Sequence, residues 1–451
     1  MSDLQRTAFT TSRLLDFVSR KELTLQCGYG ESDWPKVIVK ELIDNALDAC
    51  EEQGIAPEIT VTVDESSITV ADNGAGIPPD VVDRLLDFSI RVSSREAYVA
   101  PDRGAQGNAL KTIVAMPFVL DGEEGRVDII GGGVQSEITF SVDRIQQRPV
   151  ADVSRSEKNG SLVRVHWPLV TSSEDPRGGH FLQNVPDLAD AAAGIRKLAE
   201  GFTFLNPHLT LTLDVLGETN TIAATTAEWR KWMPSSPTCP HWYEPDYLER
   251  LLGAYITHDL QAGRERTVRE FISEFKGLTS TIKQKQALAE LDLARAPISA
   301  LLTEDARDFD HPAVARLLEV MCEQAKPVRP RALGAIGRKH LAERFASLGI
   351  REGSFDYRKV EQLHDDGLPQ VTEVAFAALK EEDGHRDLVT GVNWSAAWIN
   401  PFRQLGERGQ SLDTFLSERR FQSHQPIALL LHVAHPRVQY ADRGKSTVLA
   451  R

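Results

Sequence analysis

Cysteine is scarce: four residues in 451 (Cys27, Cys50, Cys239 and Cys322), scattered with no C-x-x-C pair. That excludes a dense disulfide framework, offers no zinc-ligand spacing, and fits a reducing compartment. No apolar run approaches the roughly 18 residues that a membrane span requires, so no membrane partner is expected. The stretch from Met1 to Arg20 lacks the apolar core of a secretory signal, which points to a cytoplasmic, intracellular chain, nucleoid-associated if it meets DNA. Positive charge is also in deficit, 51 Lys and Arg against 65 Asp and Glu, for a net charge of −14. A general nucleic-acid coat carries a basic excess, so composition disfavours that class while leaving room for local basic contacts.

What is present is ordinary for a globular chain: 41% hydrophobic and 26% charged residues. At about 100–200 residues per domain, the length predicts roughly two to four domains. The stretch that organises the rest is an acidic helix carrying Glu41, Asp44, Asn45 and Asp48 among apolar residues. Glu41, Asn45 and Asp48 are four and three apart and fall on one helical face, while Leu42, Ile43, Ala46 and Leu47 fill the flanks. A carboxylate and a carboxamide one turn apart suit Mg²⁺, a hard cation that takes oxygen ligands and keeps waters. A polar stripe on an amphipathic helix is more commonly a solvated face, so this element alone decides nothing.

Two more motifs follow. Strand-like runs at Glu58–Val63 and Ser67–Ala71 deliver Asp72, then Asn73, Gly74, Ala75, Gly76 and Ile77. Two close glycines let the backbone approach a planar ligand, although Asp-Asn-Gly is also a common hairpin turn. A second glycine-rich turn, Gly104, Ala105, Gln106, Gly107, Asn108 and Ala109, opens a helix that carries Lys111. Such a turn with a helix N-terminus makes an anion cradle, and Lys111 one turn in either reaches a phosphate or is solvated.

Acidic helix, strand ending in D-N-G-x-G, and glycine turn opening a helix, in that order, resemble the ATP-binding fold of gyrase, Hsp90, histidine kinases and MutL (GHKL). The run ELIDNALDACEEQGIAPEITVTV is similar, more narrowly, to the B subunit of DNA topoisomerase VI. The resemblance implies an α+β chain: a GHKL (Bergerat) α/β sandwich, a helix–two-turn–helix-like insert, and an α/β transducer of the ribosomal S5 domain 2 type. It implies ATP and Mg²⁺ as cofactors. Glu41 would be the general base and Asn45 the Mg²⁺ ligand, with Asp48 supporting the site. Asp72 would face the adenine amino group with Gly74, Gly76, Ile77 and Ser161 around it. Ser93 would sit in the lid at 91–103, and Gly104 to Ala109 with Lys111 would hold the triphosphate. Where the family usually has a further small or apolar residue paired with glycine, this chain has Asn108 and Ala109.

The implied division is an arm at 1–30, the ATP-binding domain at 31–220, the helical insert at 221–325 and the transducer at 326–451. Strands are expected at Arg126–Ile130, Gly133–Ser141 and Ser161–Trp167, a polar gap at 146–158, and a helix near Leu188–Phe202. Trp229, Trp232 and three prolines mark the connector to a helical stretch. That stretch shows no Arg, Lys and Asn cluster suited to base reading, so sequence-specific DNA contact is not expected. Strands at Gln370–Ala377, Leu388–Val392 and Ile427–Val433, alternating with helices, read as a mixed sheet. Near the end, Tyr440, a short loop and Lys445 resemble the family's terminal lysine, which reaches the last phosphate. A compact ammonium suits that task.

The family uses ATP to close two protomers, so an ATP-dependent homodimer is implied, with DNA and a separately encoded DNA-cleaving partner (an A subunit or Toprim-type protein). The B subunits of topoisomerase VI continue past the lysine into a long helix that grips the A subunit. Here the sequence stops at Arg451, so strand cleavage by this chain alone is not expected and the usual coupling is in doubt. The alternative is a stand-alone conformational ATPase clamp, chaperone-like or defence-related, which the acidic charge favours.

Overall fold

The computed structural model of the chain describes residues 18–449 except 89–96, 104–108, 169–184, 234, 290, 292, 294, 381–384, 406–408 and 442–446. Residues 1–17 of the arm expected at 1–30, and Ser93 of the expected lid, therefore lie outside the described residues.

In chain order the elements are α1 (Arg20–Cys27), α2 (Trp34–Glu52), β1 (Glu58–Val63), β2 (Ser67–Asp72), α3 (Pro79–Leu85), α4 (Ala109–Asp121), β3 (Gly125–Gly131), β4 (Val134–Asp143), β5 (Arg148–Glu157), β6 (Ser161–His166), α5 (Leu188–Leu205), β7 (Thr210–Val215) and β8 (Glu218–Ile222). A helical stretch follows with α6 (Pro245–Ala262), α7 (Val268–Ser273), α8 (Thr281–Ala289) and α9 (His311–Gln324). Then come α10 (Arg338–Ser347), β9 (Asp356–Leu363), β10 (Pro369–Ala378), β11 (Asp387–Val392), β12 (Ser395–Ala397), α11 (Leu412–Glu418) and β13 (Ile427–Ala434).

The first sheet has eight strands in the order β5-β4-β3-β6-β2-β1-β7-β8. Only β1 and β7 run parallel; the other neighbours are antiparallel. In β1 Ile59, Val61 and Val63 point inward and alternate with polar residues, the period-two pattern of a half-buried strand. Helices α2, α4 and α5 cover that inner face. Pro35 sits in the first turn of α2, where its missing N–H costs nothing. Gly54, with φ of 68°, follows its last turn. Fully buried Ile38, Ile43 and Leu47 each stabilise the packing by about 1.5–3 kcal/mol.

The second sheet has five strands, β12-β11-β13-β10-β9. Helix α5 touches β7 on one side and β11 and β12 on the other, so it lies between the two sheets. One apolar core accordingly includes Ile43, Leu47 and Phe202 together with Ala375, Trp394 and Leu430 of the second sheet. The helical stretch has a core of its own around Trp242, Phe271 and Met321, and Val99, within the stretch expected as a lid at 91–103, inserts into it.

One sequence expectation is corrected here. The polar gap at 146–158 is the ten-residue strand β5, paired along its length with β4. Strands β8, β9 and β12 were not anticipated. They are sheet edges, and β8 and β9 carry almost no buried side chains, so the apolar alternation that betrays a strand is missing.

Candidate nucleotide site and the buried charges behind it

Asp72 ends β2 opposite Ser161, the first residue of β6. The Ser161 hydroxyl donates to Asp72 Oδ2 at 2.6 Å, and the Gly74 amide donates to Oδ1 at 2.8 Å. Asn73 braces the same turn: its amide group donates to the Ala56 carbonyl at 3.0 Å and its Oδ1 accepts from the Glu58 amide at 3.0 Å. The turn is thus no hairpin but a bent loop whose aspartate is fixed at both oxygens.

Gly76 explains the second glycine of the motif. It has φ of 70° and pairs with Gly131 at the end of β3; a Cβ there would lie 2.6 Å from Gly131 Cα and 2.8 Å from the Ile130 carbonyl oxygen. Only glycine fits so close an approach of two backbones. A cavity of about 70 Å³ opens beside it, lined by Asp72, Gly76, Ile77 and Ser161 from the sheet side and by Asn45 and Ala49 from α2. Beneath it the Cys50 thiol lies 3.2 Å from Asn73 Oδ1. Burial and the nearby Asp72 charge push that thiol up to about 12, so it stays protonated.

The acidic helix splits its charges. Asn45 is exposed and Glu41 half-buried, both at the solvent side. Asp44 and Asp48 are buried, as is Glu51. The single polar stripe expected for Glu41, Asn45 and Asp48 is therefore two faces, because Asp48 points inward. Asp48 Oδ1 accepts from Arg103 at 2.6 Å. Glu51 takes both ends of the same guanidinium at 2.7 Å each. It also accepts from His208 Nε2 at 2.8 Å and pairs with the Lys231 ammonium. Burial works against ionising Glu51, but Arg103 and then Lys231 outweigh it and hold its carboxyl well below the usual range. Burial holds His208 below its ordinary value, so that ring is neutral.

Asp44 lies at the edge of this cluster, 3.9 Å from Arg103 Nε, and accepts from Lys40 at 2.8 Å and from the Ser395 hydroxyl of β12 at 2.7 Å. Lys40 also lies 3.5 Å from Glu41. Burial opposes the Lys40 charge, yet the Asp44 and Glu41 carboxylates raise its pKa. Lys111 is not a solvated lysine: it is buried and donates to the Asp87 carbonyl. Ala109 opens α4. Gly104, Ala105, Gln106, Gly107, Asn108 and Lys445 lie outside the described residues. So the structure brings together Asn45, Asp72, Gly74, Gly76, Ile77 and Ser161, with Glu41 one turn from Asn45 on α2.

Sequence reading did not find Glu51, Arg103, Asn206, His208 and Lys231, which meet only in three dimensions. A faint signal existed, since Asp44, Asp48 and Glu51 are spaced four and three apart, a face of their own.

Residues 30–171 match the family described as histidine kinase-, DNA gyrase B-, and HSP90-like ATPase. The B subunit of the Type 2 DNA topoisomerase 6 of Archaeoglobus fulgidus is 23% identical over 436 residues, covering 92% of this chain and 66% of that protein. Its counterpart of the same name from Natronomonas pharaonis is 37% identical over 97 residues, covering 20% of this chain and 12% of that one. Among solved structures, the 43K ATPase domain of Thermus thermophilus gyrase B in complex with an aminocoumarin aligns over 97% of this chain and 86% of its own, at 14% identity and a TM-score of 0.37. The chain thus spans 66% of the length of its Archaeoglobus relative. Residues 30–171 thus match a GHKL-type ATPase family, in a chain that over most of its length is similar to the B subunit of DNA topoisomerase VI.

Proposed function

We propose that this chain binds ATP between α2 and the β2 turn, hydrolyses it, and uses it to close two copies as a conformational clamp. The observation that carries this reading is the Asp72–Ser161 pair beside the Gly76 cradle, a fixed carboxylate at the wall of a slot that only glycine keeps open. A carboxylate held at both oxygens presents an acceptor in a set direction, which suits the amino group of adenine. Asn45 and Glu41, one turn apart at the solvent side of α2, fit the remaining tasks. Asn45 offers an oxygen ligand for Mg²⁺, which when bound neutralises phosphate charge. Glu41 is the group to orient and deprotonate the attacking water, and Lys40 beside it steadies its charge. Lys445 and the turn at 104–108 complete the phosphate end in this reading, and the four-part division of the chain at residues 30, 220 and 325 belongs to it as well.

The similarity to topoisomerase VI B subunits favours a clamp that works on DNA with a separate cleavage partner. The net charge of −14 favours a clamp that acts without DNA. The reading is tested by equilibrium binding of ATP and GTP to the wild type and to Asp72→Asn. ATP should bind the wild type in preference to GTP, and the variant should lose about tenfold or more in ATP affinity, near the cost of a charged hydrogen bond. Unchanged affinity in Asp72→Asn would take adenine recognition away from this slot.

A further inference from the structure

The turn between β11 and β12 is held in an uncommon shape. Val392 pairs with Ser395 across it, and the two residues between them, Asn393 and Trp394, both have positive φ, 50° and 70°. Two-residue hairpin turns favour that geometry with Asn-Gly; here a tryptophan stands where glycine is preferred, a strained position for a bulky side chain. Such strain persists only where the surroundings fix it. Asn393 donates to the His435 carbonyl at 3.0 Å and accepts from the His435 amide at 2.8 Å. The Trp394 amide donates to His432 Nε2 at 3.2 Å, and its carbonyl accepts from the Asn206 side chain at 3.0 Å. The Trp394 ring is buried in the core that the two sheets share.

What this turn sets is the place of the next residue. Ser395 opens β12, and its hydroxyl donates across to Asp44 Oδ2 on α2 at 2.7 Å. The Lys40 ammonium donates to the same oxygen at 2.8 Å and lies 3.5 Å from Glu41 Oε1. Along this run the side chains open toward solvent: Asp44 is 5% exposed, Lys40 14% and Glu41 26%. Four polar groups thus lead from the second sheet to the carboxylate at the solvent side of α2. An ammonium on a flexible four-carbon stem has no direction of its own. The Asp44 oxygen, itself held by Ser395, supplies one. Burying Asp44 costs desolvation that an apolar residue would avoid, and Asn206 with the shared apolar core already joins the sheets.

We propose that Ser395 is a positioning residue for hydrolysis: through Asp44 and Lys40 it holds the Glu41 carboxylate in the direction from which it acts as base; this rests on the ATPase reading above. In that step Glu41 takes a proton from water while the water oxygen bonds the terminal phosphorus and the ADP oxygen leaves. Ser395, Asp44 and Lys40 do not line the slot beside Asp72. The effect therefore falls on turnover and not on binding.

A double-mutant cycle tests this. ATP turnover and ATP affinity are measured for the wild type, Ser395→Ala, Glu41→Ala and the double variant, well below the thermal midpoint of each. Ser395→Ala should lose about tenfold in turnover while ATP affinity stays within roughly twofold, because only the base is misplaced. On the Glu41→Ala background the same change should make no further difference, since a residue acting through Glu41 has nothing left to place. Lys40→Met breaks the same run and takes the place of Ser395→Ala in the cycle if that variant does not fold. Unaltered turnover, equal losses of turnover and affinity, or a loss that persists without Glu41 would each overturn the positioning role. A wild type without turnover, or Glu41→Ala with near-normal turnover, would instead remove the ATPase reading itself.

Discussion

At the scale of residues, the site divides into groups that face the slot and groups that hold the slot in place. Asp72 and Ser161 belong to the first, and both were legible in the sequence. The D-N-G-x-G motif singles out the aspartate, and a small hydroxyl at the start of a strand follows from the resemblance. The structure adds why they belong together: cross-strand register sets Asp72 against Ser161. Arg103, Glu51 and Lys231 belong to the second group and were not legible. They are separated by up to 180 positions, and a buried ion network has no period in the sequence. Asp48 shows the limit of reading one helix alone. Its spacing from Asn45 suggested a shared face, but Arg103, 55 residues on, draws it inward.

At the scale of elements, the acidic helix and the strands beside it could be read closely because they are strongly patterned. Trp34–Glu52 starts at a proline and stops short of a glycine, and β1 alternates cleanly. The edge strands β5, β8 and β9 lacked that pattern because solvent, not core, faces their side chains. A prediction at this scale concerns the contact between the β2 turn and the end of β3. Gly76→Ala should lower stability by about 2–4 kcal/mol, from positive φ together with the collision at Gly131. Denaturant unfolding checks it, and a loss below about 0.5 kcal/mol, the ordinary scatter of surface changes, would mean the two backbones separate freely.

At the scale of the whole molecule, two histidines, the buried His340 and the half-buried His435, tie the fold to pH. His340 on α10 lies 3.0 Å from the Phe204 carbonyl oxygen and 2.6 Å from the Thr225 hydroxyl, and burial, aided by Arg344, lowers it from 6.5 to about 4. His435 accepts from the Arg437 amide at 3.1 Å and is likewise lowered to about 4, by burial and then by His364. Both are neutral when folded, whereas the unfolded chain takes up protons below 6.5. Their stabilising effect is present above pH 6.5 and is lost as pH falls toward 4, at about 1 kcal/mol per pH unit for each. Chemical denaturation at pH 7 and pH 5 measures this. His340→Gln and His435→Gln together should flatten the slope, and an unaltered slope would assign it to other groups.

Action of the proposed clamp on DNA also belongs to the whole molecule. ATP turnover with duplex DNA, followed over a salt series, should rise with DNA and lose that rise as salt increases, if local basic contacts meet phosphates. Turnover indifferent to DNA at low salt would favour the stand-alone clamp.

The most direct measurement is ATP turnover with Mg²⁺ by the wild type and Glu41→Ala, alongside the nucleotide each retains. Glu41→Ala should hold ATP as tightly as the wild type while turnover falls by about 10²–10⁴-fold, the usual contribution of a positioned general base. Near-normal turnover in that variant, or a wild type that binds no adenine nucleotide, would contradict a hydrolytic site between α2 and the β2 turn.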